Sequence, residues 1–217
     1  LGCLDFIHYI GYLSTIVDIS EDSIDRRVAA QVRRLRSQRR LSLNTLAKRS
    51  GVSRSMISLI ERGEASPTAV LLERLATGLG IALAQLFDAP VEALHPSPSV
   101  ARRSRQPVWR DPASGYVRRN VSPAQTADSF RIVEVEFPAG GHVAFETTVH
   151  EPPLHQQVWV LAGSIQLTVG EQTHRLERGD CLAMKLDQLV VFANPGAKPA
   201  RYAVVISGTS AVAASPR

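Results

Sequence analysis

A chain of 217 residues has room for about two domains, and 44% hydrophobic with 21% charged residues is the composition of an ordinary globular protein, not of a disordered one. Cys3 and Cys181 fit neither a disulfide framework nor a zinc site, which points to a reducing cytoplasm, and no apolar run reaches the roughly 18 residues that a membrane span needs. The net charge of +5 is unevenly placed: between Arg26 and Phe87 twelve Arg and Lys residues face only Glu61, Glu64 and Glu73, so a segment of +9 adjoins a remainder of −4. That split suits a polyanion-binding module joined to a second unit with another task.

Residues 1–25 read as a poorly ordered N-terminal extension. LGCLDFIHYIGYLSTIVDIS is apolar but broken by Asp5, His8 and Gly11, and without a basic leader or a small-residue cleavage site it does not fit a signal peptide. The acidic EDSID that follows suits the positive end of a helix. That helix is expected over about 26–40, with Val28, Val32 and Leu35 inward and its arginines available to phosphates.

Residues 43–62, LNTLAKRSGVSRSMISLIER, read as two short helices meeting at a steep angle. Ser42 caps the first, Gly51 ends it in the left-handed conformation, and Ser53 caps the second. Leu46, Ala47, Ile57 and Ile60 face inward and Val52 plugs the angle. Arg54, Ser55, Ser58 and Leu59 are left on an outer face suited to a major groove. Ser66-Pro67 opens a further helix carrying Leu72, Leu75, Ala76 and Leu79, stopped by Gly80. Leu83, Leu86 and Phe87 make a last short helix.

The stretch LSLNTLAKRSGVSRSMISLIERGEASPTAVLLERLATGLGIALAQLF resembles the phage-repressor-like (Xre/Cro) helix-turn-helix regulators. The resemblance implies a five-helix DNA-binding domain over 26–88 that works as a homodimer on a double-stranded, inverted-repeat operator. The implied DNA-binding residues are Ser42, Ser53, Arg54, Ser55, Ser58, Leu59 and Arg62, with Arg54 on a base, most naturally guanine, and Ser42 on a phosphate. Glu61 corresponds to an acid commonly tied to an arginine of the first helix, and Leu43 stands where many family members have glutamine.

Residues 89–107, rich in Pro, Ser and Arg, read as a linker, where Arg102, Arg103 and Arg105 add nonspecific attraction for phosphate. From 108 onward the pattern turns to short alternating runs at 116–121, 130–137, 143–149, 157–162, 164–169, 172–176, 181–184, 188–193 and 201–206, which indicates a sandwich or barrel. HEPPLHQQVWVLAGSIQLTVG and HRLERGDCLAMKLDQLVVFANPG are similar to the two motifs of a cupin. This implies a jelly-roll β-barrel over 108–210 that senses a small molecule, dimerises, or both. Asp180 is a turn residue in this reading.

In metal-binding cupins two histidines and a glutamate of the first motif join one histidine of the second. Here the glutamate place holds Gln156 and the second-motif histidine place holds Val190, while Pro152 takes one of the first-motif histidine places and His150 keeps the other. An amide is a poor ligand and valine is none, so no metal, cofactor or catalytic residue is expected. An effector pocket is expected instead, with His150 at its rim and Gln156, Met184, Val190 and Phe192 in its wall. The whole chain then reads as a cytoplasmic, sequence-specific bacterial transcription regulator with no membrane partner. The alternative is a cupin enzyme, an oxygenase or isomerase, carrying a nonspecific basic domain.

Overall fold

Hydroxyl side chains set where the helices begin. Ser42, Ser53 and Thr68 each hold an extended backbone, and each accepts a hydrogen bond from the amide three residues on. The computed structural model describes residues 24–88, 100–123, 130–146 and 153–207. Helix α1 is seen over residues 24–38, and α2 (Leu43–Ser50), α3 (Arg54–Glu61) and α4 (Ala69–Leu79) follow. Gly51 and Gly80 end α2 and α4 at φ 66° and 67°, the left-handed turn that glycine adopts without a Cβ clash.

Two expectations about architecture are corrected. Among the described residues the N-terminal part has four α-helices, not five. Leu83–Phe87 is a 3-10 turn; Ala82 before it has no side chain to cap it, and the Gln85 side chain accepts from the Ala82 amide at 3.3 Å. Five residues cannot repay the cost of nucleating an α-helix, and the tighter turn is the form that short apolar segments take. The C-terminal part is not a closed barrel. Among the described residues ten strands form two open antiparallel sheets, one in the order β1-β2-β3-β10-β5-β8 and the other β4-β9-β6-β7. The six-stranded sheet takes β1 (Val108–Arg110), β2 (Val117–Asn120), β3 (Phe130–Phe137), β5 (His155–Ala162), β8 (Cys181–Lys185) and β10 (Ala200–Ser207). The other takes β4 (His142–Glu146), β6 (Ser164–Val169), β7 (Gln172–Glu177) and β9 (Leu189–Ala193). Alternation along a strand fixes which side chains point inward; it does not say whether the edge strands pair.

Strand β5 shows the alternation plainly: Gln156, Val158 and Val160 are buried, while His155, Gln157 and Trp159 face out. Asp180, expected at a turn, and Asn194 both have structural tasks. Asp180 accepts from the Glu177 amide at 2.8 Å. Asn194, 1% exposed, donates through Nδ2 to the carbonyls of Phe137, Pro138 and Lys198. It thereby ties the loop after β9 to the end of β3.

The helices and the sheets share one continuous core. The Asp111 carboxylate, 2% exposed, accepts from Ala69 N, the first amide of α4, at 2.9 Å and from Ser114 N and Oγ. A carboxylate there satisfies an orphan donor and complements the positive end of the helix. Trp109 of β1 packs on Phe87, and its Nε1 donates to Asp25 of α1. From Phe87 a chain of rings runs through Trp109, Tyr116, Phe137, Tyr202, Phe192 and Phe145, with successive centroids 5.5–6.3 Å apart. Behind the Phe87 ring lies Arg118 of β2, its guanidinium 4.8 Å from the ring centre, and facing it across the seam is Glu73 of α4. Burial raises the Glu73 carboxyl from its ordinary 4.5 to about 7, against the opposing pull of the Arg118 charge.

Two predictions follow from this packing. A Cβ at Gly78 would lie 2.8 Å from Ser50 Cβ and 3.0 Å from Ser50 N, where α4 crosses α2. Gly78→Ala gains up to about 1 kcal/mol of helix propensity, but a clash against backbone costs about 1–3 kcal/mol. Chemical denaturation is therefore expected to show a net loss of stability, and an unchanged or raised midpoint would contradict the close crossing. Glu73 holds its proton more tightly folded than unfolded, so its contribution to stability is complete below pH 4.5 and is lost as pH rises through about 7. Glu73→Gln is expected to remove that loss, flattening the stability profile by roughly 1–3 kcal/mol relative to the native chain across this window. Parallel profiles for the two proteins would contradict the buried, proton-retaining carboxyl.

Candidate nucleic-acid interface

Helix α3 buries one side completely and leaves the other in water. Ile57 and Ile60 are 0% and 1% exposed, and Val52 at 4% fills the angle with α2. Arg54 and Ser55 are exposed, Ser58 and Leu59 half-exposed. With Leu43 and Arg62 these four line a shallow groove on the outer surface. The outer face expected from the sequence is thus assembled as one surface.

The individual groups differ in how free they are. Arg54 is the first residue of α3, where the unpaired amides and the positive helix end add to its charge. The hydroxyls of Ser42 and Ser53 are committed as acceptors, from Thr45 N at 3.0 Å and Met56 N at 3.2 Å. Ser53 Oγ also lies 3.1 Å from Ser55 Oγ. Ser42 Oγ likewise lies 2.8 Å from Thr45 Oγ1, so the first task of both hydroxyls is to fix a helix start. Arg62 lies against Glu64 through two hydrogen bonds of 2.8 and 2.7 Å and also reaches Ser58 Oγ. An exposed pair of this kind is weak, so a phosphate can take the guanidinium from Glu64.

Glu61 is not part of this face. Arg36 of α1 donates to both its carboxylate oxygens, at 2.6 and 2.8 Å, and to the Leu41 carbonyl at 2.9 Å. This half-buried bidentate pair clamps α1 to the end of α3 and sets the angle at which the outer face is presented. Further along, Arg103 joins Arg119 and Arg201 around the Glu134 carboxylate, at 3.2, 3.6 and 3.6 Å. Its charge is thereby directed at the sandwich.

A cavity of about 70 Å³ lies between the sheets and α4. Gln156, Val190 and Phe192, expected in a pocket wall, all line it. Met184, 8% exposed, pairs with Gln156 across β5 and β8 but does not reach the cavity. His150 lies outside the described residues. Trp159 points outward and is 51% exposed. Among the described residues no three His, Cys, Asp or Glu side chains converge as a metal site would need.

Glu73, Tyr116, Arg118 and Tyr202 also line the cavity, and sequence reasoning did not single them out. A signal existed for two of them: Tyr116 and Arg118 are two apart at the start of a strand, so they share a face with the buried Trp109 partner position. Burial lowers the Arg118 pKa, opposed by the neighbouring Tyr116, Glu73 and Asp88. It also pushes both tyrosines above their ordinary range.

No helix among the described residues is long and apolar enough to cross a membrane. The family described as helix-turn-helix domain matches residues 27–89. The HTH-type transcriptional regulator SutR of Escherichia coli (strain K12) is 27% identical over 181 residues, which are 83% of this chain and 94% of SutR. The HTH-type transcriptional regulator SlrR of Bacillus subtilis (strain 168) is 41% identical over 59 residues, 27% of this chain and 39% of SlrR. An HTH_3 family transcriptional regulator from Vibrio cholerae shares the fold, with a TM-score of 0.68 at 23% identity over 91% of this chain and 99% of that one. With capped helices α2 and α3 set at the family's turn and the outer face of α3 open, residues 27–89 form an Xre/Cro-like helix-turn-helix domain, the DNA-binding part of this chain.

Proposed function

We propose that this chain is a sequence-specific bacterial transcription regulator that binds an inverted-repeat operator as a homodimer. The observation that carries the reading is the outer face of α3. Arg54, Ser55, Ser58 and Leu59 stand clear of the core while Ile57, Ile60 and the Arg36–Glu61 clamp fix the helix behind them. A helix held rigidly from behind and polar in front is what enters a major groove. Arg33 and Arg34 of α1 line a groove with Arg62 and supply phosphate attraction. The likeness to SutR supports the reading for the chain as a whole, since it spans 83% of these residues.

The sandwich serves as an effector-sensing module, a dimerisation module, or both. Gln156 and Val190 face the cavity at the two places where the cupin resemblance implies ligands, and they offer it an amide and an isopropyl group. Neither holds a metal ion as a carboxylate or imidazole does. The cavity is accordingly read as a binding site for a small effector, and the chain as a cytoplasmic regulator without catalytic activity.

The test is genome-wide capture of DNA by the full chain and by an Arg54→Ala variant. A few sharp sites sharing an inverted repeat are expected for the native chain. The variant is expected to lose roughly 1–3 kcal/mol at those sites at fixed salt. Diffuse capture, equal for both proteins, would overturn sequence-specific reading by α3.

A further inference from the structure

The cavity between the sheets and α4 has an uneven lining. Most of its wall is apolar, supplied by side chains such as Val133, Val135 and Phe192. Its charge is gathered at the α4 side, where Arg118 and Glu73 meet. Arg118 is 6% exposed. Its Nε donates to Asn120 Oδ1 at 3.3 Å, and its guanidinium carbon lies over the Phe87 ring. Its Nη2 is buried and has no hydrogen-bond partner among the described residues.

A charged donor held away from water without an acceptor is costly, and proteins retain one chiefly where something else comes to meet it. Glu73 does not supply the acceptor: it acts on Arg118 through charge, without a hydrogen bond to Nη2. Tyr116 and Asp88 also act on the guanidinium, and burial raises both the Glu73 and the Asp88 carboxyl, which weakens the hold of these two acids on the Arg118 charge. A planar guanidinium matches a carboxylate better than it matches any neutral group of the same size. The cavity volume sets the scale of what accompanies that carboxylate. About 70 Å³ holds more than a single water and suits an apolar body of about three to five carbons.

We propose that this cavity binds a small organic monocarboxylate, its head on Nη2 of Arg118 and its short apolar body among Val133, Val135 and Phe192. The proposal rests on the reading of the sandwich as an effector module, and it names the chemical class of the effector. It also gives the route by which occupancy reaches DNA. Glu73 belongs to α4, α4 is capped by Asp111 and crosses α2 at Gly78, and α2 positions α3. An anion on Arg118 changes the field on Glu73 and hence the seating of α4, provided its affinity differs between the two seatings.

The experiment uses the full chain and four sodium salts, butyrate, isobutyrate, isovalerate and pivalate. Each is compared with its neutral amide at matched ionic strength, by isothermal titration and by the midpoint of thermal unfolding. At least one acid is expected to bind saturably, to raise the midpoint, and to bind roughly ten-fold or more tightly than its amide. Arg118→Met is expected to abolish that preference. Since this variant removes a buried group and can fail to fold, the acid–amide comparison on the native chain stands as an independent test. Equal binding of acid and amide, or no saturable binding by any of the four acids, overturns the proposal. Operator affinity is then measured with and without the bound acid. An acid that binds through Arg118 yet leaves operator affinity unchanged keeps the anion site and overturns the effector reading on which it was built.

Discussion

The contact on which the rest of this structure depends is the seam between α4 and the sandwich. Asp111 donates no proton there; its carboxylate receives the first amide of α4 and the Ser114 amide together. A helix start buried against a sheet would otherwise leave an unsatisfied donor in the core. Because Asp111 follows directly on β1, the cap fixes the sheet to the helix at a single point. Trp109 then adds area around that point, against Phe87 on one side and Tyr116 on the other. The helices and the sheets consequently share a core and do not merely touch.

That shared core explains how a helix as short as α3 can be rigid. Helix α3 has eight residues, well short of what holds together alone in water. Its stability comes from Ile57 and Ile60 in the core, from Ser53 at its start, and from the Arg36–Glu61 pair at its end. These interactions use only the inner side and the two ends of the helix. The outer face therefore remains at liberty to contact a partner without loss of structure. Arg62 shows the same economy on a smaller scale: it rests on Glu64 in a pair that water weakens and a phosphate can replace.

Much of this was legible in the sequence, and the reasons for success and failure differ by element. Ser42, Gly51 and Ser53 marked helix ends because capping is local chemistry, independent of the rest of the fold. The strands were legible as alternating runs because each sheet buries one face; β1, with three residues, is too short to show a period. Closure into a barrel was not legible, since it depends on pairing between edge strands far apart in the chain. The segment Leu83–Phe87 carried a helical pattern of apolar residues but lacked the length to form one. In the cavity, Gln156, Val190 and Phe192 were found from motif and alternation. Arg118 and Glu73 were not, because a charged side chain in a basic or amphipathic stretch reads as solvated until a second element is known to cover it. What covers each of them is the other's element, and no local pattern contains that fact.

The four α-helices and the sandwich form one cooperative body joined at the α4 seam. The most direct measurement is equilibrium denaturation of the full chain in a Trp159→Phe background, which leaves Trp109 as the only tryptophan. Fluorescence then reports the seam, and far-ultraviolet circular dichroism reports the helices. The account predicts that both signals change together with a single midpoint. A Trp109 transition well separated from the loss of helix would show that the two parts unfold independently, and would contradict the account.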